Sequence, residues 1–306
     1  MLTYRPTNAD RAELPVSYLR EPRYLGYREI EGTRPFAKYF AGTTRPVQAH
    51  VRHALLAGMA PPEYGYDVDD AVRRLAGPGY HNMETGFTRL DSGVIVVSCL
   101  TDMPGVTAAM WDWWFGWHIV DTARYKLWYP DAHQFCTVGE DRSADRCLTD
   151  RQRYLDNVSY VDEYIGGALH RLAIRFIDPD RLGFDERPGT IYVCALVGWS
   201  TLPIATSWLI HQIRPTDKGS EMRSRFFIGH TEILDLPAHV VPTRLGRALA
   251  AAPATARAAA RLAIPHVGSR LVSASLGHEL LFHCASEMNH LASLLPGLYE
   301  EFHDTP

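Results

Sequence analysis

IATSWLIHQIRPTDKGSEMRSRFFIGHTEIL, residues 204–234, decides the fold, because it reads as two long strands joined by a tight turn. Apolar and β-branched residues dominate residues 204–214 and 221–234. The Asp217 and Gly219 of the intervening Thr-Asp-Lys-Gly suit a hairpin turn. Three more segments have strand-like composition, and they lie at residues 94–100, 164–176 and 191–199. Strands grouped in this way predict an antiparallel sheet rather than alternating βαβ units.

Two helical patterns accompany these strands. Residues 269–295 have a 3.6-residue periodicity that is expected to stop at Pro296. Thr107 can N-cap a second helix, which runs through a tryptophan-rich stretch towards Trp128 and must end before Pro130. The chain is therefore predicted to be an α+β protein, with a curved antiparallel sheet around a long C-terminal helix. Such a sheet leaves a cavity between itself and the helix.

The first 85 residues differ in character from the rest. They are rich in Pro, Tyr, Arg and Gly, and only residues 46–57 and 67–75 read as helical. We expect residues 1–85 to form an N-terminal arm or cap and residues 86–306 to form the main domain.

Composition excludes several classes of protein. The 306 residues carry a net charge of −4 with 46% apolar and 22% charged residues, and no basic block suggests nucleic acid as a partner. Five widely spaced cysteines without a C-x-x-C indicate reduced intracellular thiols. The N-terminus lacks the apolar core of a signal peptide, and residues 245–264 contain a proline and three arginines, so no membrane span is expected. We expect a soluble cytoplasmic protein.

The C-terminal helix carries the first candidate site. His283, Glu287 and His290 lie at i, i+4 and i+7, on one helix face. One interpretation is a surface helix with His–Glu pairing, and the other is a divalent metal held by His283 and Glu287. Apolar neighbours indicate that the helix is partly buried, and a buried carboxylate then needs a charged partner.

A second candidate is TAAMWDWWFGWHIVDTARYKLWYPDAH, residues 107–133, which holds five of the seven tryptophans. Spacings of three and four place six residues on one helical stripe: Trp111, Trp114, His118, Asp121, Tyr125 and Trp128. The stripe packs against the sheet in one interpretation. In the other, Trp114, His118 and Tyr125 bind an aromatic ligand, because aromatic side chains with a few polar groups commonly line the binding sites of such ligands. His133 follows Pro130 and is expected on a loop, free to bind a metal.

Three further polar residues lie on predicted strands. Glu163 is expected at the start of a strand, where it shares a face with apolar residues. His211 and His230 alternate with apolar residues in the hairpin, and either could face the cavity. Dinucleotide-binding, P-loop, nucleophile-elbow and H-E-x-x-H motifs are absent from the sequence, which disfavours the corresponding enzyme classes.

The segments WWFGWH…RYKLWYPDAH and HCASEMNHLASLLPGLY together resemble the 2,4-diacetylphloroglucinol hydrolase and phloretin hydrolase family. The resemblance implies a helix-grip (Bet v 1-like) fold, an N-terminal arm used in dimerisation, and hydrolysis of the carbon–carbon bond between an acyl group and a polyhydroxylated aromatic ring. It also implies one zinc per chain, held by His133, Glu163, His283 and Glu287. Tyr125 matches a tyrosine that contacts a phenolic hydroxyl, and Cys136 lies near the position of a family asparagine.

Such a reaction must deliver a proton to the ring carbon, and His211, His230 or Tyr125 could supply it. Helix-grip domains often only bind ligands, so a non-catalytic carrier of aromatic or polyketide ligands is the alternative. A metal-dependent esterase acting on phenolic substrates is a third possibility. The sequence leaves the physiological acylated phenol open.

Overall fold

The strands form one antiparallel sheet. A computed structural model describes residues 14–15, 18, 20–234, 238, 241, 243–253, 255–256 and 272–305. Its strands are β1 (Gly86–Arg89), β2 (Ile95–Pro104), β3 (His133–Val138), β4 (Val158–Ile165), β5 (Ala168–Ile177), β6 (Ile191–Trp199), β7 (Ile204–Thr216) and β8 (Gly219–Ile233). Their order in the sheet is β1-β2-β8-β7-β6-β5-β4-β3. The predicted α+β class with an antiparallel sheet is confirmed.

The helices are mostly short. They are α1 (Glu29–Gly32), α2 (Ala49–Ala57), α3 (Ala71–Leu75), α4 (Ala108–His118), α5 (Thr122–Trp128), α6 (Asp150–Tyr154), α7 (Pro179–Leu182), α8 (Arg244–Ala250), α9 (Ala274–Ala292) and α10 (Leu295–Phe302). Short 3₁₀ segments lie at Pro35–Tyr39, Pro62–Tyr64 and Val68–Asp70. None of the helices in these ranges is long and apolar enough to cross a membrane.

The β7–β8 hairpin forms as predicted. Thr216 pairs with Gly219 across a two-residue turn, and the two strands pair over most of their length. The predicted strand at 191–199 is β6, and the one at 94–100 begins one residue later and extends to Pro104.

The predicted strand at 164–176 is wrong, because the chain reverses within it. Ile165 pairs with Ala168 across Gly166 and Gly167. Gly166 has φ +61°, a conformation that glycine adopts without steric cost. The Gly-Gly pair between two apolar runs is the hairpin signal that separates β4 from β5.

The tryptophan-rich helix is also two helices rather than one. Thr107 N-caps α4 as predicted, with its side chain accepting from the Met110 amide. Asp121 is the N-cap of α5 instead of a member of a continuous stripe, and its carboxylate accepts from the Ala123 amide at 2.7 Å. A capping side chain competes with the helical backbone pattern, which explains the break.

The C-terminal helix is shorter than predicted. It ends at Ala292, and Pro296 lies in the first turn of α10, where a proline is tolerated because the amide there has no helical partner. Residues 269–271 of the predicted helix lie outside the described residues.

The sheet curves around α9. This helix contacts β1 and β2 near one end of the strand order and β4 near the other, so the sheet between them must bend. Gly277 allows the close approach, since a Cβ there would lie 2.9 Å from side-chain atoms of both Ile95 and Phe87. The main core lies between α9, the tryptophan-rich helices and the concave face.

A second cluster covers the opposite face of the sheet. Residues 66–83 contribute five buried side chains to it: Tyr66, Val68, Ala71, Leu75 and Met83. They pack against strand residues such as Trp208 and Phe227. All five cysteines are free thiols.

Candidate metal centre

Two imidazoles and two carboxyls converge in the main core, between α9 and the β3–β4 end of the sheet. His133 Nε2 lies 3.7 Å from Glu163 Oε2 and 3.5 Å from Glu287 Oε2. His283 Nε2 lies 3.7 Å from Glu163 Oε1 and 3.8 Å from Glu287 Oε2. All four side chains are buried. The structure thus brings together the four residues that the resemblance named as ligands.

Strand pairing and helix spacing explain this convergence. His133 and Glu163 are directly opposed partners on β3 and β4, so their side chains project from neighbouring positions of one face. A register shift between His133 and Phe135 separates this pair from the rest of the β3–β4 ladder. His283 and Glu287 are one turn apart on α9, which lies across that face.

Two expectations about these positions are wrong. His133 was expected on a loop, but it is the first residue of β3 and fully buried. Glu163 was expected at a strand start, but it lies near the end of β4, because the chain turns at Gly166. The first shift follows from the pairing of β3 with β4, which the local sequence does not specify, and the second follows from the Gly166-Gly167 turn between β4 and β5.

Main-chain carbonyls fix the tautomers of both imidazoles. The Nδ1–H of His133 donates to the carbonyl of Tyr125 at 3.0 Å, and that of His283 donates to the carbonyl of Tyr164 at 2.8 Å. In the neutral rings, each Nε2 then carries a lone pair directed at the cluster. This second interaction is the usual way in which proteins orient histidine ligands.

Burial dominates the electrostatics of the cluster. It lowers the pKa of His283 to about 4 and that of His133 well below its usual range, so both rings are neutral at pH 7. It raises the pKa of Glu163 to about 7, and that of Glu287 well above its usual range with a further contribution from the charge of Glu163. The two carboxyls therefore lack a countercharge.

The donor atoms of His133, His283 and Glu287 lie within 4.8 Å of one another and fit a divalent metal, while Glu163 faces the two histidines with different oxygens. His133 Nε2 is buried and has no hydrogen-bond partner among the described residues, although its lone pair points at two carboxyls. Ligands 2.0–2.1 Å from a tetrahedral ion lie about 3.3 Å apart, slightly closer than the 3.5–3.8 Å separations here. Two imidazoles favour zinc over magnesium or calcium.

Tyr125 touches two members of the cluster. Its hydroxyl donates to Glu163 Oε2, and its ring stacks on His133 with centroids 3.8 Å apart and an interplanar angle of 3°. Burial raises the pKa of this phenol well above its usual range, and the neighbouring Glu163 adds to the effect. The hydroxyl therefore stays protonated.

Aromatic rings continue from Tyr125 along the predicted stripe. His118 stacks on Tyr125 at 5.9 Å and on Trp114 at 4.9 Å. Burial lowers the pKa of His118 to about 3, so the ring is neutral, and its Nδ1–H donates to the Trp114 carbonyl. Trp114, His118, Tyr125 and Trp128 form an aromatic wall beside the cluster.

The two histidines of the hairpin have different surroundings. His211 is buried on the concave side between Phe115 and Phe226, and its Nδ1 is 2.7 Å from Ser224 Oγ. Burial lowers its pKa to about 3. His230 is partly exposed, with Nε2 3.8 Å from Glu232 Oε1. Neither is among the four converging residues.

One neighbour of the cluster, Tyr129, was not identified from the sequence, whereas His290 and Cys136 were. The ring of Tyr129 lies 5.0 Å from that of His283 and 5.7 Å from that of His133, and no local pattern marks it. His290, one turn beyond Glu287, accepts from the amide of Arg45. Cys136 is buried, with its thiol 3.3 Å from the Ile119 carbonyl.

Known proteins resemble this chain over nearly its full length. The family described as the DAPG hydrolase PhiG domain matches residues 66–300. A 2,4-diacetylphloroglucinol hydrolase of Pseudomonas protegens is 31% identical over 298 residues, covering 94% of this chain and 92% of the relative. A phloretin hydrolase of Eubacterium ramulus is 30% identical over 288 residues, covering 92% and 95%.

Proposed function

This chain belongs to the DAPG hydrolase family, and from that premise we propose that it is a zinc-dependent carbon–carbon hydrolase. The bond it cleaves joins an acyl group to a polyhydroxylated aromatic ring. 2,4-Diacetylphloroglucinol, which would yield monoacetylphloroglucinol and acetate, is the proposed substrate, or a related acylphloroglucinol. The names of the relatives support this substrate class.

The four-residue cluster is the observation that carries this proposal. The donor atoms of His133, His283 and Glu287 lie within 4.8 Å of one another, and a different oxygen of Glu163 lies 3.7 Å from each histidine. Two neutral imidazoles and two buried carboxyls packed this closely are stabilised by a divalent cation, and a carrier cavity has no need of them. We propose that His133, Glu163, His283 and Glu287 hold one zinc per chain. The charges of the two carboxylates would balance that of the ion.

The metal ion and the protein would contribute different parts of the reaction. When bound, zinc polarises a ketone oxygen and lowers the pKa of a water molecule towards about 7. The hydrolysis adds the hydroxyl of water to the acyl carbon, breaks the bond to the ring and places one proton on the ring carbon. Hydroxyl groups ortho and para to that carbon make the ring an adequate leaving group, because they stabilise it as a keto tautomer.

The protein binds the phenol and moves the proton. We propose that the aromatic wall, including Trp114 and His118, packs against the substrate ring and excludes water. His211 is neutral at pH 7 and faces the concave side, so it suits hydrogen bonding to a phenolic hydroxyl. His230, which is partly exposed, is a further candidate for the donor to the ring carbon. The oxygen of Tyr125 can still accept a hydrogen bond from the substrate.

We also propose the finer architecture that the family resemblance implies. A curved antiparallel sheet closed over a long helix is the arrangement of a helix-grip (Bet v 1-like) domain, assigned here to residues 86–306. Residues 1–85 would be the arm of a homodimer, and the exposed side chains of Ile30, Leu56 and Met59 supply apolar surface for that contact.

The first experiment combines metal analysis with an assay. Protein purified without added metal is expected to contain about one zinc per chain and to release acetate from 2,4-diacetylphloroglucinol. His283→Ala should abolish both, whereas His278→Ala, an exposed histidine of the same helix, should not. Full turnover by verified metal-free protein would refute the metal-dependent reaction, and recovery of unchanged ligand would favour a carrier. An aryl ester of the same ring separates the proposed activity from that of an esterase.

A further inference from the structure

We propose that Tyr125 is a positioning residue of the metal centre, whose hydroxyl is committed to Glu163 rather than free to donate to a phenolic substrate. Three separate groups of this residue, the hydroxyl, the ring and the main-chain carbonyl, hold two of the four ligands. This inference rests on the proposed function in taking the four residues as a metal site. It changes the role that the family resemblance implies for Tyr125.

The hydroxyl determines the orientation of the Glu163 carboxyl. It donates to Oε2, while Oε1 faces His283 Nε2. A phenol has one hydrogen, so in this arrangement Tyr125 cannot donate to a second acceptor. Because the hydroxyl and the carboxyl are both buried, losing this bond leaves a carboxyl oxygen without a donor and its rotamer less restricted.

The ring and the carbonyl hold His133. The parallel stack at 3.8 Å restricts rotation of the imidazole about its side-chain bonds, and the Tyr125 carbonyl accepts the Nδ1–H. Tyr125 therefore connects a ligand on β3 to its cross-strand partner on β4, from a third element.

That third element is fixed in turn by the N-terminal segment. The buried Nζ of Lys126 donates to Glu31 Oε1 at 3.1 Å and to the Gly26 carbonyl at 2.9 Å. The hydroxyl of Tyr27 donates to the carbonyl of Ala123, two residues before Tyr125. These contacts anchor α5, so Tyr125 has the rigid support that an orienting residue needs.

The test measures metal binding rather than turnover. Tyr125→Phe keeps the stack on His133 and removes only the bond to Glu163. We expect zinc affinity, measured by competition with a chromophoric chelator, to fall about tenfold, as for other groups that orient metal ligands. The visible absorption bands of the Co²⁺-substituted protein should also change. Tyr125→Ala removes the ring as well and should weaken binding further.

Two controls separate positioning from general damage. Tyr129→Phe changes another tyrosine whose ring contacts both histidines, and its zinc affinity and Co²⁺ spectrum should match those of the parent. In a Glu163→Ala background, Tyr125→Phe should have no further effect, because its target is gone. Wild-type affinity in Tyr125→Phe, or a tenfold loss that persists without Glu163, would overturn the inference alone. Absence of zinc binding by the parent protein would overturn the proposed function with it.

Discussion

In the metal-free protein, the free energy of unfolding should depend on pH through the ionisation of Glu163. Its pKa is raised from an ordinary value of 4.5 to about 7, chiefly by burial. Between these two values the folded protein holds a proton that the unfolded chain has released, so stability falls as the pH rises and stays lowered above about 7. Glu163→Gln cannot ionise, and its amide oxygen can still accept from Tyr125.

The size of the effect follows from the shift. A difference of about 2.5 pKa units, at 1.36 kcal/mol each, corresponds to roughly 3 kcal/mol. Metal-free Glu163→Gln should therefore be more stable than the parent by about 3 kcal/mol at pH 8, and by no more than about 1 kcal/mol at pH 5. The lowered pKa of His283 has the opposite pH dependence, but the comparison cancels it because both proteins retain this residue.

Urea unfolding of chelator-treated protein at pH 5 and pH 8 measures this difference. Glu63→Gln, at an exposed position, is the matched control and should follow the parent at both pH values. Saturating zinc should reverse the order of stability at pH 8, because the carboxylate then binds the ion. An identical pH dependence for Glu163→Gln and the parent would refute the assignment of a buried, uncompensated carboxyl.

Three further outcomes test other parts of the molecule. Glu287→Ala should lower zinc affinity and turnover at least about 100-fold, which is more than the loss of an orienting group costs. Its circular dichroism spectrum should match that of the parent, and full activity would show that Glu287 is not part of the site. Zinc affinity of the parent should fall by at least about tenfold for each pH unit below 7, since ion binding must displace a proton from Glu163 and, because its pKa is also raised, from Glu287. Competition titrations at pH 5.5 and 6.5 measure this slope, and a pH-independent affinity would contradict it. Lys126→Met should destabilise the protein by about 3 kcal/mol in urea, because it removes the charged partner of the buried Glu31, and adding Glu31→Leu should recover most of the loss.

Local patterns predicted much of the fold. The β7–β8 hairpin follows from two apolar runs flanking an Asp-Lys-Gly turn, and the Thr107 cap begins a helix where the sequence indicated. The spacing of His283 and Glu287 placed both on one face of α9 for the same reason, since helical geometry depends only on residues a few positions apart.

Where the local prediction failed, a competing local signal was present. Gly166-Gly167 turns the chain inside a run that otherwise reads as one strand, and Asp121 caps a new helix inside a run of helix-compatible residues. In both places the hydrophobic pattern predicts a continuous element, whereas the turn or capping residues predict a break. The backbone breaks at these residues.

Local sequence patterns are sufficient to predict the α+β class, the hairpin, and the helix that carries two candidate ligands. Long-range packing places His133 opposite Glu163, lays α9 across both, and brings the Tyr125 hydroxyl to Glu163. Strand register depends on packing across the whole sheet, and a slip of one residue would turn Glu163 to the opposite face. His133, Glu163 and Glu287, which are 30 to 154 positions apart in the chain, meet at this centre because the sheet curves around the helix, and no local pattern encodes that curvature.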